Sequence, residues 1–137
     1  MKSTQQCDAI KQEIEAFLHE YYRGFALDDL ARMEAGMTED FTAIFIIPNQ
    51  SSEPQVFDKK AIMDGYAQAF SLYRGRAPTM RISNIVVIPR SEHEALASYS
   101  MDFSLEGQWR NDALAIAELR RESGQWKISR LYENKRR

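Results

Sequence analysis

The chain is poor in cysteine and in excess charge, and both shortages exclude classes of protein. Cys7 is the single cysteine among 137 residues, so no internal disulfide can form, which excludes a disulfide-stapled secreted scaffold. The 18 basic and 20 acidic residues give a net charge of −2, and no positive surplus is left to neutralise a phosphate backbone. We therefore expect no nucleic-acid partner. The terminal basic residues 135–137 are predicted to be a solvated tail without function.

Long apolar runs are also missing. Residues 1–12 lack the apolar core of roughly 7–15 residues that a signal peptide contains. No stretch reaches the roughly 20 apolar residues that span a bilayer. We therefore predict a cytoplasmic protein without a membrane partner.

Metal and cofactor ligands are sparse. His19 and His93 lie far apart in polar stretches, and Cys7 has no histidine beside it. The chain has neither a Gly-rich phosphate loop nor a nucleophile elbow. We expect no metal site and no cofactor.

The composition that remains is that of an ordinary globular protein, with 44% apolar and 28% charged residues. A chain of this length can bury one substantial core, and no repeat or linker interrupts it. We predict a single domain over residues 1–137, with its core at about 8–134.

Helical periodicity marks three stretches of the N-terminal half. Apolar residues recur at helical spacing over residues 10–25. Asp28 or Asp29 can cap a second, shorter helix, and Asp58 can cap a third.

The remaining segments have the patterns of strands. Residues 41–47 are rich in β-branched and aromatic side chains and lead into a polar turn at 48–52. The second half contains four strands with short connections, which predicts an antiparallel meander. Those four strands are expected at 80–88, 95–105, 112–121 and 126–132.

This order of elements resembles the nuclear transport factor 2-like, or SnoaL-like, superfamily. The similarity includes Thr38-Glu-Asp-Phe41 before the first strand and Gly124-Gln-Trp-Lys-Ile128 in the last hairpin. It implies an α+β, cone-shaped fold in which three helices pack on a strongly curved sheet, mixed but mainly antiparallel, around a pocket. It also implies a homodimer through the outer sheet face. Because the superfamily contains several kinds of enzyme and non-catalytic binding modules, the fold does not select a function.

Ketosteroid isomerase, one member, requires a carboxylate base on the first strand and two donors for an oxyanion. Aligned on the resemblance, Phe45 occupies the position of the base, and Ile116 or Ala117 the position of the acidic donor. The tyrosine donor alone has a counterpart, Tyr21. We therefore predict that the protein does not catalyse this isomerisation.

Epoxide hydrolases of the family position a water molecule with an Asp-Arg-Asp arrangement, and the residue types for it are present. Asp102, Asp112 and Arg130 lie on predicted strands. Alternation directs Asp102 out of the pocket, and the pattern predicts no inward pair.

Glu133 is the remaining polar candidate, because the resemblance brings it to the pocket wall. A carboxylate there could have a raised pKa and act as a base with Tyr21 as hydrogen-bond donor. Two alternatives stay open. Glu133 could be solvated near the chain end, or a one-residue change of register could turn Arg130 and Tyr132 inward to bind an anion.

Three functions fit these patterns. The first is a binding module whose aromatic pocket holds a small, mostly apolar ligand. Its predicted ligand-binding residues are Tyr21, Phe45, Tyr66, Tyr99, Met101 and Phe103. The second is an isomerase, dehydratase or hydrolase that uses Glu133 and Tyr21 as catalytic residues. The third is a non-catalytic assembly subunit whose outer sheet face bears small side chains, namely those of Ser98, Ser100, Ser104 and, in one register, Ala113, Ala115 and Ala117.

Overall fold

The computed structural model describes residues 4–47 and 53–135; the turn expected at 48–52 and the end of the basic tail lie outside them. The helices within these residues are α1 (Thr4–Tyr22), α2 (Gly24–Leu27), α3 (Leu30–Ala35) and α4 (Lys59–Tyr73). The strands are β1 (Met37–Ile46), β2 (Gln55–Asp58), β3 (Thr79–Pro89), β4 (Glu94–Leu105), β5 (Gln108–Glu122) and β6 (Gln125–Lys135).

One mixed sheet contains all these strands, in the order β2-β1-β6-β5-β4-β3. β1 and β6 are parallel, and every other neighbouring pair is antiparallel. The helices pack on one face of the curled sheet, so the predicted α+β architecture is confirmed. The single turn α2 is an additional element, because Asp28 adopts a left-handed conformation (φ 54°) and separates it from α3.

Two aspartates begin helices where the sequence predicts caps. The Asp29 carboxylate accepts a hydrogen bond from the backbone N–H of Arg32 at 3.1 Å. Asp58 does the same for Ala61 at 2.9 Å. Each cap satisfies a backbone donor that the first helical turn leaves unpaired, and the Asp58 cap sets the start of α4.

Strand β6 continues past the predicted end at residue 132, because it is hydrogen-bonded on both sides. Its residue Asn134 pairs with Ile46 of β1, and Lys135 pairs with Ala113 of β5. The extension places Glu133 and Lys135 in a strand rather than in a tail, and residues two apart in a strand share one face.

The inner face of β5 is lined by alanines. Ala113, Ala115 and Ala117 are buried against the core, whereas Leu114 and Ile116 between them are exposed. The prediction that these alanines could form the outer face is therefore wrong, and Ser104 is also buried. The outer face presents larger apolar side chains than the sequence pattern predicted.

No helix among the described residues is long and apolar enough to cross a membrane.

Candidate functional site

A cavity of about 270 Å³ lies between α4 and the inner face of the sheet. An apolar cavity of about 150 Å³ holds a benzene molecule in another protein, so this space has room for a larger guest. Most of its wall is apolar, and the rings that line it belong to Phe25, Phe45, Phe57 and Tyr66. Met80 and Met101 add flexible apolar surface.

Small residues alternate with large ones across the inner sheet face beside the cavity. One cross-strand row runs Phe45, Glu133, Ala115, Tyr99. The next row places Ala113 between Lys135 and Met101. Ala113 and Ala115 are buried in these rows and do not line the cavity, whereas Phe45, Glu133, Lys135 and Met101 do.

Half of the predicted ligand-binding residues line this cavity. Phe45, Tyr66 and Met101 do so. Tyr21, Tyr99 and Phe103 are buried in the core and are absent from the lining. The ligand-binding role of all six stays a prediction.

The polar end of the cavity is formed by Glu133, Lys135 and Asp112. The Glu133 side chain is buried, with 4% of the residue exposed, and its Oε1 accepts a hydrogen bond from Lys135 Nζ at 3.0 Å. The same Nζ lies 3.9 Å from Asp112 Oδ2 and 4.6 Å from the centre of the Phe45 ring. One ammonium group is thus surrounded by two carboxylates and an aromatic face.

Burial is the largest single effect on the pKa of Glu133 and on that of Lys135, but it decides the direction of the shift only for Glu133. It raises the pKa of Glu133, against the opposing effect of the Lys135 charge and hydrogen bond and with a further increase from Asp112. Burial by itself lowers the pKa of Lys135, but Glu133 and Asp112 outweigh it, so that pKa is raised overall. Lys135 therefore stays protonated, whereas Glu133 holds its proton to a higher pH than an exposed glutamate.

Both alternatives to an inward Glu133 are contradicted. The residue is buried rather than solvated. Arg130 is exposed on the outer side, and the Tyr132 hydroxyl donates a hydrogen bond to Glu118 at 3.3 Å. Arg130 and Tyr132 therefore do not form an anion site in the pocket, because both belong to the opposite face of β6.

The sequence pattern does not place Lys135 or Asp112 in the cavity wall, for different physical reasons. Lys135 was assigned to a solvated tail, although its spacing of two from Glu133 is the signal that could have found it. Asp112 lies at a β-bulge, where the pairing of β4 with β5 shifts between Met101 and Asp102. Because Ala113 faces inward, strict alternation without the bulge would direct Asp112 outward. Asp102 itself forms an ion pair with Arg81 at 3.4 Å and does not line the cavity.

Four tyrosines lie near enough to the buried Glu133 carboxylate for its charge to affect their pKa. The hydroxyls of Tyr22 and Tyr99 are 2.7 Å apart and share a hydrogen bond. The buried hydroxyl of Tyr21 has no hydrogen-bond partner among the described residues. Burial raises the pKa of all four phenols, and the Glu133 charge raises each further; the four are Tyr21, Tyr22, Tyr66 and Tyr99.

Tyr66 is a near neighbour of Tyr21, and its phenol also raises the pKa of Tyr21. The contact between the two hydroxyls contributes to the raised pKa of Tyr21 and opposes the rise in the pKa of Tyr66, although it falls outside the geometry of a regular hydrogen bond. Tyr66 lines the cavity and Tyr21 does not, so a ligand would reach the Tyr21 hydroxyl only past the cavity wall.

In residues 4–47 and 53–135, no group of three or more His, Cys, Asp or Glu side chains could hold a metal ion. Both histidines, His19 and His93, are exposed.

The fold is shared with solved structures of low sequence identity. An NTF2-like protein of unknown function from Pseudomonas putida is 17% identical and superposes with a TM-score of 0.75, over 93% of this chain and 87% of that one. A provisionally named scytalone dehydratase from Novosphingobium aromaticivorans is 18% identical, with a TM-score of 0.77, over 98% and 89%. Aln2 from a Streptomyces species is 16% identical, with a TM-score of 0.73, over 98% and 93%. Comparison with the curated proteins gave no match.

These likenesses and the curled sheet with its inner cavity define an NTF2-like fold. The model of the SnoaL-like domain matches residues 14–131. The chain belongs to the SnoaL-like family.

Proposed function

We propose that the protein binds a small, mostly apolar molecule in the cavity under α4 and does not act as a ketosteroid-type isomerase. The observation that carries the proposal is a space of about 270 Å³ that is walled by four aromatic rings and closed by one charged cluster. Ligand sites commonly combine an apolar wall with a few polar groups that orient the guest. A core filled solid by the same side chains would have argued against binding.

The absence of a base at Phe45 supports the negative part of the proposal. Phe45 lies on the cavity wall at the position where the isomerase resemblance requires a carboxylate. A phenyl ring takes up no proton. Ile116, one of the two positions for the acidic donor, is exposed on the outer face, and Ala117 has no donor group.

A blocking variant tests the proposal. Gly65 lines the cavity, and a Cβ added there would meet no atom within 4 Å, so we expect Gly65→Leu to extend a side chain into this open space. The matched control is Ala67→Leu, which adds a comparable side chain at an exposed position of α4. The probe is 2-(2-naphthyl)ethanol, a two-ring molecule with a single hydroxyl, and the measurement is isothermal titration calorimetry.

Binding to the wild type and to Ala67→Leu, with at least tenfold weaker binding to Gly65→Leu, is the expected result. Equal affinities in all three proteins would place the probe elsewhere and overturn the proposal. Failure of the wild type to bind this probe or any member of a panel of apolar two-ring compounds would overturn it as well.

Acid–base catalysis is a second candidate function, favoured by the buried Glu133 at the cavity end. A carboxylate with a raised pKa can serve as a general base or acid near neutral pH. The proposed enzyme is an isomerase, dehydratase or hydrolase with Glu133 as the base and Tyr21 as the donor. Turnover found in a substrate screen should be lost in Glu133→Gln and reduced in Tyr21→Phe, whereas turnover that survives Glu133→Gln would refute this assignment.

We also propose, as a third candidate function, that the protein assembles into a homodimer through the outer sheet face. Exposed apolar side chains lie on this face, with Ile116 and Val86 in one cross-strand row that also contains the half-buried Tyr132. Ser98 between Ile116 and Val86 is small enough for a second sheet to approach. Exposed contiguous apolar surface is typical of interfaces.

A further inference from the structure

The groups at the charged end of the cavity are of the kind that bind a protonated amine, and the Lys135 ammonium uses only part of them. This inference rests on the proposed binding function. Lys135 Nζ lies 3.0 Å from Glu133 Oε1, 3.9 Å from Asp112 Oδ2 and 4.6 Å from the Phe45 ring centre. Two carboxylates and an aromatic face are the groups that attract a protonated amine.

The count of charges at this end favours a cationic guest. Asp112 and Glu133 supply two negative charges when ionised, and Lys135 returns one positive charge. A carboxylate that entered the cavity would face two acids across a single ammonium already engaged by both. An ammonium that entered would meet the surplus acid in a setting where burial strengthens the attraction.

One acceptor is left open for such a guest. Among the described residues, the hydrogen bonds of Glu133 use Oε1 and not Oε2. A carboxylate oxygen can accept more than one hydrogen bond. Oε2 is therefore the atom to which a ligand's N–H group would donate, while the rings of Phe57 and Tyr66 in the same wall can contact its apolar part.

We propose that the cavity selects small, mostly apolar molecules that carry a primary amine, with the ligand's ammonium group hydrogen-bonded to Oε2 of Glu133. Lys135 holds the other oxygen of that carboxylate and keeps the acceptor pointed along the cavity wall. Asp112 adds the second negative charge that excludes carboxylates.

Three probes that differ only in their polar group test the selection. These are 2-(2-naphthyl)ethylamine, 2-(2-naphthyl)ethanol and 2-naphthylacetate, titrated calorimetrically into the full chain at about pH 7.5 and low salt. A primary alkylamine is protonated there, since the ammonium of lysine has a pKa of about 10.4. A hydrogen bond to a charged group is worth about tenfold or more in affinity, so the amine should bind at least tenfold tighter than the alcohol, and the acid more weakly than both.

Glu133→Gln keeps the shape of the side chain and removes its charge. It should remove the amine's advantage, so that the affinities of the variant for the amine and for the alcohol lie within about threefold of each other. Asp112→Asn tests the same electrostatic effect at a half-buried position and should weaken amine binding to a smaller extent. Glu15→Gln, an exposed change on α1 with the same effect on net charge, should alter neither affinity.

The outcomes separate this inference from the proposed function. One outcome is that Gly65→Leu blocks binding of the alcohol but the wild type binds the acid as tightly as the amine or more tightly. This outcome would overturn amine selection and leave the binding function standing. An amine preference that survives in Glu133→Gln would likewise overturn it. Failure of all three probes to bind the wild type would overturn both.

Discussion

Lys135 Nζ donates a hydrogen bond to Oε1 of Glu133 across 3.0 Å, and both side chains project from the inner face of β6. Glu133 is buried, whereas the Lys135 side chain is 28% exposed. Removing the lysine would leave a buried carboxylate without its cationic partner, which is costly.

Lys135→Met should therefore destabilise the protein at neutral pH while keeping the apolar stem of the side chain. We expect a loss of about 1–3 kcal/mol, below the roughly 3–5 kcal/mol of a fully buried pair because solvent reaches the lysine. The loss should shrink at acidic pH, where Glu133 is protonated. Urea unfolding of this variant and of the exposed control Lys11→Met measures the difference, and a pH-independent loss would contradict the pairing.

The stability of the protein should also depend on the protonation of Glu133. Its pKa in the folded state is raised above the ordinary value of 4.5 by burial. The folded state then binds this proton more strongly than the unfolded state, so the contribution of Glu133 is full below about pH 4.5 and is lost as pH rises through the folded pKa.

The Glu133→Gln variant does not lose stability in this way as pH rises, because glutamine does not ionise. The free energy of unfolding of the variant minus that of the wild type should increase as pH rises from 4.5 to the folded pKa, by about 1.4 kcal/mol for each pH unit by which the folded pKa exceeds 4.5. Denaturant titrations at a series of pH values give the two curves. A difference that falls with pH would mean that the pKa of Glu133 is lowered, and Glu15→Gln should show no such rise.

Tyr21 and Tyr22 form a natural matched pair, since they are adjacent and both fully buried. Tyr22→Phe leaves the Tyr99 hydroxyl without its partner and should cost about 1–3 kcal/mol. Tyr21→Phe removes a hydroxyl that has no hydrogen-bond partner among the described residues and should be neutral or stabilising. Thermal and denaturant unfolding would compare them, and a cost for Tyr21→Phe equal to that of Tyr22→Phe would show that the Tyr21 hydroxyl is hydrogen-bonded in solution.

Two glycines should respond to alanine in opposite directions. A Cβ at Gly65 in α4 meets no atom within 4 Å, so Gly65→Ala should stabilise by about 0.5–1 kcal/mol through helix propensity. A Cβ at Gly36 would lie 2.5 Å from Tyr21 Cδ1, so Gly36→Ala should destabilise by about 1–3 kcal/mol through overpacking. Urea unfolding checks both, and a stable Gly36→Ala protein would mean that the Tyr21 ring can move away.

The proposed dimer makes a prediction about size. Ile116→Lys puts a charge at the centre of the outer sheet face, where 48% of the isoleucine is exposed. Light scattering after size-exclusion chromatography should show a dimer for the wild type and a monomer for the variant. Leu72→Lys on α4 is the control, because that leucine is exposed away from the sheet. A wild-type monomer at all accessible concentrations would end the proposal.

The fold could be predicted from the sequence because its signals are local. Helix caps at Asp29 and Asp58 act within one turn, and the short connections of the second half force neighbouring strands to pair. The strand end at residue 132 was wrong because pairing with β1 and β5 on both sides extends β6. Such pairing depends on residues far away in the chain.

The candidate site could be predicted from the sequence only in part, because it also depends on contacts between distant residues. The position of Glu133 at the pocket wall followed from the resemblance, but its burial depends on α4 and on the strands to either side. Asp112 reaches the cavity through a bulge, which shifts alternation by one residue and cannot be located from a period-two pattern. Tyr99 and Phe103 were correctly predicted on the inner face, yet they are packed behind the cavity rather than along it.

The alanines of β5 mark where the inner face has no spare volume. Ala115 lies directly between Glu133 and Tyr99 and is buried without lining the cavity. A larger side chain there would overpack the core instead of entering the cavity. We therefore expect relatives of this chain to change the size of the cavity through the residues of its wall, while the alanines beneath that wall stay small.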